Sequence, residues 1–595
     1  MRQGLSRPFW LALVIAAFCL PLFIGLGRTD LENDEAIYSF AVDEILANGD
    51  WLNPRLSPDV NNVFLEKPPL KFWIVAAPIR LGLLPHDEFG LRFWDALFGA
   101  VAFLYVFALG RRLGGPVCGA IAVMVLFVYG PLLFQHGLRG NNMEAPLMLC
   151  YCGAVFHYVA WAEATSVRTR RWQIVAVALY FLLGFMTKFV AALFLPVFLG
   201  VAALSLGETR SRLRQDFFVW IGGALLFLAL AAPWFAYEYL REGEGFWRVI
   251  LKEHVYTRFT TALDPSHVQP WDFYYRTVFN ELQHMGMLWL VAVGAVLLCV
   301  AAFKRSRVLT LTVIAWFVVP MALMTIGTSK LHHYAYPFLP PLALAAGYAP
   351  AWLLREARSR VDAMMQALQE KLTAPRRWSN TVRNTFAVLA CLALALAVLT
   401  FVLGGVTWKV GGVTIFRNAH IARPLLVALI LGTLAGRGVV AARLVLPVAI
   451  LLLLLPANAF EDTWRQTREP NQPLHIARDC LRRVHDAEAQ AGRRPLALYA
   501  VGEHKWFLHS YYYYLRHLGW ERAVSLDSNV VQDGLFVQGH QRPVLLGESD
   551  YRAFKAQHVS EVQSVPALPL RESLLLMPGP YAVCAPRKPN LSPFN

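Results

Sequence analysis

The stretch "FLEKPPLKFW", residues 64–73, sets an acid and a base, Glu66 and Lys67, directly before two prolines and an aromatic, apolar run. Proline has no amide hydrogen and disfavours helix in the residue before it, so Pro68 and Pro69 break any helix here and fix the backbone behind the charged pair. Phe72 and Trp73 suit the boundary between water and lipid. Two charges stiffened at the lip of a bilayer imply a membrane protein with polar chemistry at its surface, with Glu66 and Lys67 expected to point in opposed directions.

The rest of the chain agrees. Of 595 residues, 56% are hydrophobic and only 16% charged, and the mean hydropathy is +0.43. That composition is too apolar for a soluble globule. Apolar runs of about 17 to 25 residues, enough to cross about 30 Å of hydrocarbon, occur at 9–27, 91–110, 116–134, 145–162, 172–187, 189–206, 217–237, 286–303, 308–326, 337–354, 384–404, 423–436 and 438–456. The expected fold is a polytopic α-helical membrane protein with about thirteen spans. The first run has no small-residue cleavage site, which argues for a span over a signal peptide.

Orientation follows from the short connections. With the N-terminus inside, the inner loops contain Arg2 and Arg7, Arg111 and Arg112, Arg168, Arg170 and Arg171, then Arg210, Arg212 and Arg214. Lys304, Arg305 and Arg307 follow, then the long basic loop from Arg355 to Arg377, then Arg437. All obey the positive-inside rule. The same loops account for the net charge of +15, and no basic stripe outside them points to nucleic acid. Within the long loop, Met364, Met365, Leu368 and Leu372 recur at helical spacing and suggest an amphipathic segment on the inner leaflet.

An odd number of spans puts the C-terminus outside. Residues 1–456 are therefore expected to form the membrane region, with outer loops at 28–90 and 238–285, and residues 457–595 an extracytoplasmic α/β domain. There "PLALYAVG" and "RPVLLGE" read as strands and "SYYYYLRHLG" as a helix closed by Gly519. Six of the eight cysteines sit in apolar runs and read as small core residues. Cys480 and Cys584 fall in the outer domain and form a candidate disulfide if that compartment is oxidising.

The outer loops collect mixed acids, bases, histidines and aromatics, whereas the inner ones carry mainly arginine. In "LENDEAIYSFAVDEILANGDW", Asn33 is placed to cap a helix whose first turn holds Asp34 and Glu35. Ile37, Phe40, Ala41 and Ile45 would line one face of it along the membrane, and Gly49 would end it. "FQHGLRGNNMEAPL" supplies His136, Arg139 and Glu144; "LKEHVYTRFT" supplies His254 and Arg258, four apart; "GTSKLHHYAYPFLPP" supplies Lys330, His332, His333 and Tyr334. A carboxylate or cation held at membrane depth is a functional candidate by default.

The set "DEAIY", "EKPPLKFW", "EHVYTRF" and "SKLHHY", in this order on these loops, resembles the GT-C glycosyltransferases of family 39, which include protein O-mannosyltransferases and the bacterial transferases that place aminoarabinose on lipid A. The resemblance covers roughly residues 8 to 350. It implies a GT-C fold and an inverting transfer of sugar from a polyprenyl-phosphate carrier, such as undecaprenyl phosphate, to a lipid, glycan or protein acceptor. The site would lie at the periplasmic face of a bacterial inner membrane. It implies catalytic roles for Asp34, at or next to the general base, and for Glu144. Lys67, Arg258 and Tyr334 would hold the carrier phosphate, with Glu35, Arg139 and Lys330 completing the substrate-binding set. Glu66 and His254 would match a divalent-metal site for zinc, magnesium or manganese. Glu144 stands where the family usually has Asp, "TKF" at 187–189 replaces T-K-G, and "HHY" replaces P-x-Y.

The chemistry suits these residue types on its own terms. Cleaving a glycosyl phosphate requires charge on the departing phosphate to be neutralised, and a positioned carboxylate takes the acceptor's proton. A transporter would also explain many spans, but it should show broken helices paired across two halves and polar groups near mid-bilayer. A polysaccharide polymerase or ligase shares the outer-leaflet chemistry and differs in acceptor.

Overall fold

Long apolar runs in this chain become helices because lipid leaves backbone amides no partners but their own carbonyls. The computed structural model describes residues 7–31, 34–55, 63–261, 265–356, 380–410, 413–435 and 457–468; beyond them it describes five short strands and the single positions 486, 490, 492, 513 and 552. Seven described helices are long and apolar enough to span: Glu88–Gly114, Glu144–Glu163, Val167–Ala192, Phe217–Glu242, Leu288–Arg305, Arg307–Ile326 and Thr381–Leu403. Other expected spans are shorter apolar helices, Pro8–Phe23, Pro116–Val128, Phe194–Ser205 and Ala422–Gly432, with Leu339–Glu356 besides. The run 438–456, the basic segment 357–379 and Arg437 lie outside the described residues. The chain is thus a multi-pass membrane protein, and among the described residues seven helices are long and apolar enough to span.

The helices sort into a centre and a rim. Of the most apolar stretch of Glu144–Glu163, 83% is buried inside the protein, against 17% for Phe217–Glu242. The latter turns Phe218, Leu225, Leu228 and Leu240 outward, as a lipid-facing helix should. Glycines let the central helices touch. A Cβ at Gly347 would fall 2.3 Å from the Cys118 carbonyl oxygen, and one at Gly110 would fall 2.6 Å from the Gly119 Cα.

At the ends carrying the arginines, polar groups cross-link neighbouring helices. Arg170 Nε donates to Asp216 Oδ2 at 2.7 Å and Trp161 Nε1 to the same oxygen at 2.9 Å; Arg112 reaches Glu163 at 3.4 Å.

At the opposite end a second layer is built from Asp34–Asn48 and Leu70–Arg80. Gly49 has φ +71° and ends the first of these, as read from sequence. The expected one-sided burial does not hold. Phe40, Ala41 and Ile45 are buried, but so are Glu35, Ser39, Asp43 and Glu44. The helix lies within the outer layer, and its charges find partners there: Glu35 takes both Arg92 Nε and Nη2 at 2.8 Å, and Asp43 meets His86 at 2.6 Å. Lys71 is fixed the same way, 2.6 Å from Asp95 and 2.8 Å from the Asn141 side-chain oxygen.

An antiparallel hairpin, Val406–Val410 with Val413–Asn418, connects two of the later helices; the sequence reading did not anticipate it. The helix Ala457–Gln466 packs on the membrane core through Phe460, whose ring is 5.7 Å from Phe127 and 6.0 Å from Phe18. Beyond it a five-stranded sheet runs in the order Arg522–Leu526, Ala497–Val501, Val544–Gly547, Leu574–Met577, Leu568–Arg571. The first three strands are parallel and the last two pair antiparallel. The two strands read from sequence are both present. Of the tyrosine run only Tyr513 is described; it is helical and its ring sits 5.3 Å from Phe40. Gly519, Cys480 and Cys584 lie outside the described residues.

Candidate active site

The ends of the spans opposite the arginines enclose a cavity of about 170 Å³ whose polar lining includes Glu66, Lys67, Glu144, Lys188, His254, Arg258, His333 and Tyr334. Each arrives on a different local device. Residues 65–67 form a turn, and Pro69 opens the helix Leu70–Arg80, its carbonyl accepting from Trp73 at 3.0 Å. A turn, unlike an extended strand, does not send successive side chains to opposite sides. Glu66 and Lys67 therefore converge on the cavity with their charged ends 3.9 Å apart, and the opposed directions expected from the prolines are not observed.

His254 and Arg258 come from Arg248–Thr257, a helical segment wound to the wider π geometry, and the α-turn Arg258–Thr260 that follows. Four residues make almost one π turn, so both face the cavity. Such widenings are frequent at functional sites. His254 Nε2 lies 3.5 Å from Glu66 Oε2. Arg258 Nη1 donates to the Tyr334 hydroxyl at 2.7 Å, while Arg258 Nε is buried with no hydrogen-bond partner.

Lys188, the middle residue of "TKF" at 187–189 and the position between the apolar runs 172–187 and 189–206, proves central. The helix Val167–Ala192 breaks at this residue, with φ −143° and ψ 66°. The Thr187 hydroxyl donates back to the Leu183 carbonyl at 2.6 Å, a contact that bends helices. The break turns the ammonium inward, where it donates to Glu144 Oε1 at 2.6 Å and lies 4.7 Å above the Tyr334 ring. A lysine inside an apolar run was the available signal.

The electrostatics are shared among these neighbours. Burial alone would raise the Glu66 carboxyl, but the hydrogen bond from His254 and the charges of Lys67, His254 and Arg258 hold it at about 2. Burial brings the Lys67 ammonium down to about 8, with Glu66 opposing and Lys188 and Arg258 assisting. His254 is also pushed down by burial, against its hydrogen bond to Glu66. At neutral pH the pair is thus a carboxylate and a neutral imidazole, the states in which both bind metal. Among the described residues no group of three or more His, Cys, Asp or Glu side chains has metal-holding geometry. Glu66 and His254 therefore fit an ion only as two protein ligands, the rest coming from phosphate oxygens or water, as magnesium sites at phosphates commonly do.

The other candidates lie outside the cavity lining. Asp34 has its side chain 45% exposed and Oδ2 3.8 Å from His136 Nδ1. Glu35 is engaged by Arg92 and by the Asn141 amide at 2.7 Å. Arg139 donates to the carbonyls of Pro21 at 2.7 Å, Leu22 at 2.9 Å and Ile24 at 2.7 Å. Lys330, 3% exposed, donates to the carbonyls of Gln269 at 3.1 Å and of Gly327. These three side chains tie backbone segments together around the site. Polar groups apart, the cavity walls are apolar, among them Leu147, Phe189, Phe194, Met324 and Phe338.

A family profile described as dolichyl-phosphate-mannose-protein mannosyltransferase matches residues 66–237. The chain is 27% identical over 391 residues to an undecaprenyl phosphate-alpha-4-amino-4-deoxy-L-arabinose arabinosyl transferase of Pectobacterium carotovorum, a match covering 65% of each chain. It is 26% identical over 316 residues to a transferase of the same description from Pseudomonas fluorescens, covering 53% of this chain and 52% of that one. The chain thus spans between half and two thirds of the length of these relatives. The crystal structure of ArnT from Cupriavidus metallidurans bound to undecaprenyl phosphate superposes with a TM-score of 0.57 at 18% identity, over 96% of this chain and 98% of that one. In fold the chain is a GT-C membrane protein, and in sequence it is related to the family-39 transferases and their aminoarabinose branch.

Proposed function

We propose that the protein is an inverting glycosyltransferase that moves a sugar from a polyprenyl-phosphate donor to a lipid or protein acceptor at the outer face of the bacterial inner membrane. The observation that carries this reading is the cavity itself: Lys67, Lys188 and Arg258 converge with Tyr334 at one end of an apolar-walled pocket. A phosphate attached to a hydrocarbon chain needs that combination of cations and oil. Arg258 Nε, buried without a partner, is a donor such a phosphate would satisfy. The relatives' descriptions make undecaprenyl phosphate-4-amino-4-deoxy-L-arabinose the first donor to test.

Three cations face two carboxylates here, so the cavity retains positive charge for the phosphate that leaves with the electron pair. Glu144, 4% exposed and paired with Lys188 at 2.6 Å, positions that ammonium and is poorly placed to take a proton. Asp34, its side chain 45% exposed and its carboxylate 3.8 Å from the His136 imidazole, is the better base for an acceptor hydroxyl arriving from outside. A divalent ion held by Glu66 and His254 would supply further positive charge to the phosphate. The apolar walls exclude the water that would hydrolyse the donor. In this reading residues 457–595 lie on the same side of the membrane as the cavity, and the acceptor is what they would contact.

The test is transfer of labelled sugar from polyprenyl-phosphate donors to membrane extract. Wild type is expected to transfer, Asp34→Asn to lose 10²-fold or more, on the order of a general base's contribution, and Lys67→Ala with Arg258→Ala to lose donor binding. Retained binding in the double variant would remove those cations from the phosphate site; transfer by none of the proteins with any donor would overturn the assignment.

A further inference from the structure

Two histidines that the mechanism above leaves unused stand between its carboxylates. His136 Nδ1 is 3.8 Å from Asp34 Oδ2. Its ring lies against His333 with centroids 4.7 Å and planes 21° apart, and His333 Nε2 is 3.7 Å from Glu144 Oε1. An imidazole pair is thus clasped at one end by Asp34 and at the other by Glu144.

The backbone is distorted to put His136 there. Its φ is +52°, and it is the one non-glycine residue with positive φ among the described residues. Such strain persists where the surroundings over-determine it, and it gathers at functional sites. The surroundings here do so. Arg139 binds three carbonyls on the 21–24 segment, and the Tyr336 hydroxyl lies 2.9 Å from the carbonyl oxygens of both Pro131 and Gln135. At Gly137 a Cβ would meet the Leu132 carbonyl at 1.8 Å, so the turn admits no side chain beside His136. Tyr336 and His333 share the segment His332–Phe338, so one element both pins the turn and supplies the ring on which His136 stacks.

We propose that His136 is the proton-accepting partner of Asp34, with His333 as the platform that holds its ring. The proposal rests on Asp34 being the base. As the acceptor oxygen bonds to the anomeric carbon, the bond from that carbon to the carrier phosphate breaks and its electron pair leaves on the phosphate. The hydroxyl proton passes to Asp34, and from Asp34 Oδ2 to His136 Nδ1, giving a carboxylate and an imidazolium that then releases the proton to water. The 3.8 Å gap is one that tightens, or is bridged by one water, in a substrate complex. His333 suits the role of platform: burial, then Lys188, His136, His332 and His267, keep it well below the ordinary imidazole range and so neutral. The groups facing the pair are Asp34, Glu144, Lys188, His332, 6.5 Å from the His136 ring, His267, and the rings of Tyr334 and Tyr336, 4.8 and 6.5 Å from that of His333.

The experiment is the pH profile of kcat/KM for sugar transfer by wild type, His136→Asn, His333→Phe and Asp34→Asn, with polyprenyl-phosphate binding measured alongside. Asparagine tolerates the left-handed backbone, so the turn should survive the substitution. Wild type is expected to lose activity on the acid side, because an imidazole that is already protonated cannot accept from Asp34. His136→Asn should lower the plateau about 10- to 100-fold, leave carrier binding intact and shift the acid limb down by a pH unit or more. His333→Phe, which preserves the stack, should keep the wild-type acid limb. An unmoved acid limb in His136→Asn, or a loss matched by lost carrier binding, would overturn the proposal while leaving the transferase reading intact. Full activity in Asp34→Asn, or no transfer by wild type, would instead overturn the reading beneath it.

Discussion

At the scale of single residues, the site is governed by which charges are paired and which are free. Lys67 is an ammonium that burial has brought to about 8, so it carries its charge below that pH and loses it as pH rises through it. Carrier-phosphate affinity should therefore hold from pH 6 to 7.5 and weaken above about pH 8. Titrating undecaprenyl phosphate binding against pH checks this, and Lys67→Arg, whose guanidinium stays charged, should move the weakening to higher pH. Lys188 and Glu144 form the opposite kind of pair, mutually neutralised and 18% and 4% exposed. Removing one partner of a buried pair costs about 3–5 kcal/mol because the other charge is left uncompensated. Lys188→Met should accordingly lower the melting temperature in detergent. The double variant Lys188→Met, Glu144→Gln should recover most of it without recovering transfer. Equal melting temperatures for single and double variants would mean that the pair does not couple.

At the scale of elements, most of the architecture was legible because lipid imposes a simple rule on apolar runs, and the loops betrayed themselves by polarity. What sequence could not show was where an element bends or which face it buries. The helix Val167–Ala192 reads as two runs meeting at a lysine, and only its break explains why Lys188 reaches Glu144. The helix Asp34–Asn48 reads as amphipathic, yet it is buried on both sides, because Arg92 and His86 arrive from elsewhere in the chain to meet its acids. The candidate residues divided on the same ground: Lys67, Glu66, His254, Arg258, Tyr334 and Glu144 line one cavity, whereas Glu35, Arg139 and Lys330 use their polar atoms on the protein's own backbone or side chains. Helix contacts were equally invisible, and they yield a test. Gly347→Val would drive a side chain into the Cys118 carbonyl, an overpacking worth about 1–3 kcal/mol or more. Gly222, with nothing within 4 Å of a Cβ, should accept alanine and gain about 0.5–1 kcal/mol. Thermal melts of the two variants should move in opposite directions; a common direction would mean that close helix approach at Gly347 does not limit stability.

At the scale of the whole molecule, the two ends of the helix bundle differ in kind, and the proposed orientation rests on that difference. One end is held by arginines such as Arg170 on Asp216 and Arg112 on Glu163; the other carries the cavity, with its mixed charges and histidines. By the rule that arginine-rich loops remain on the cytoplasmic side, the proposed orientation turns the cavity outward, where a lipid-linked sugar and its acceptor would meet. Arg168 is exposed at the first end, and Trp271, 68% exposed, lies in the segment leading to the cavity-lining Tyr274 at the second. Single cysteines at these two positions, in a background cleared of the native thiols, report the orientation through a maleimide that cannot cross the inner membrane. Trp271→Cys should label in intact spheroplasts, and Arg168→Cys only after the membrane is permeabilised. The reverse pattern would put the cavity in the cytoplasm, where neither the outer-leaflet donor nor the proposed acceptor could reach Asp34. Labelling at both positions in intact spheroplasts would break the alternation of spans between Val167 and Trp271 on which the orientation rests.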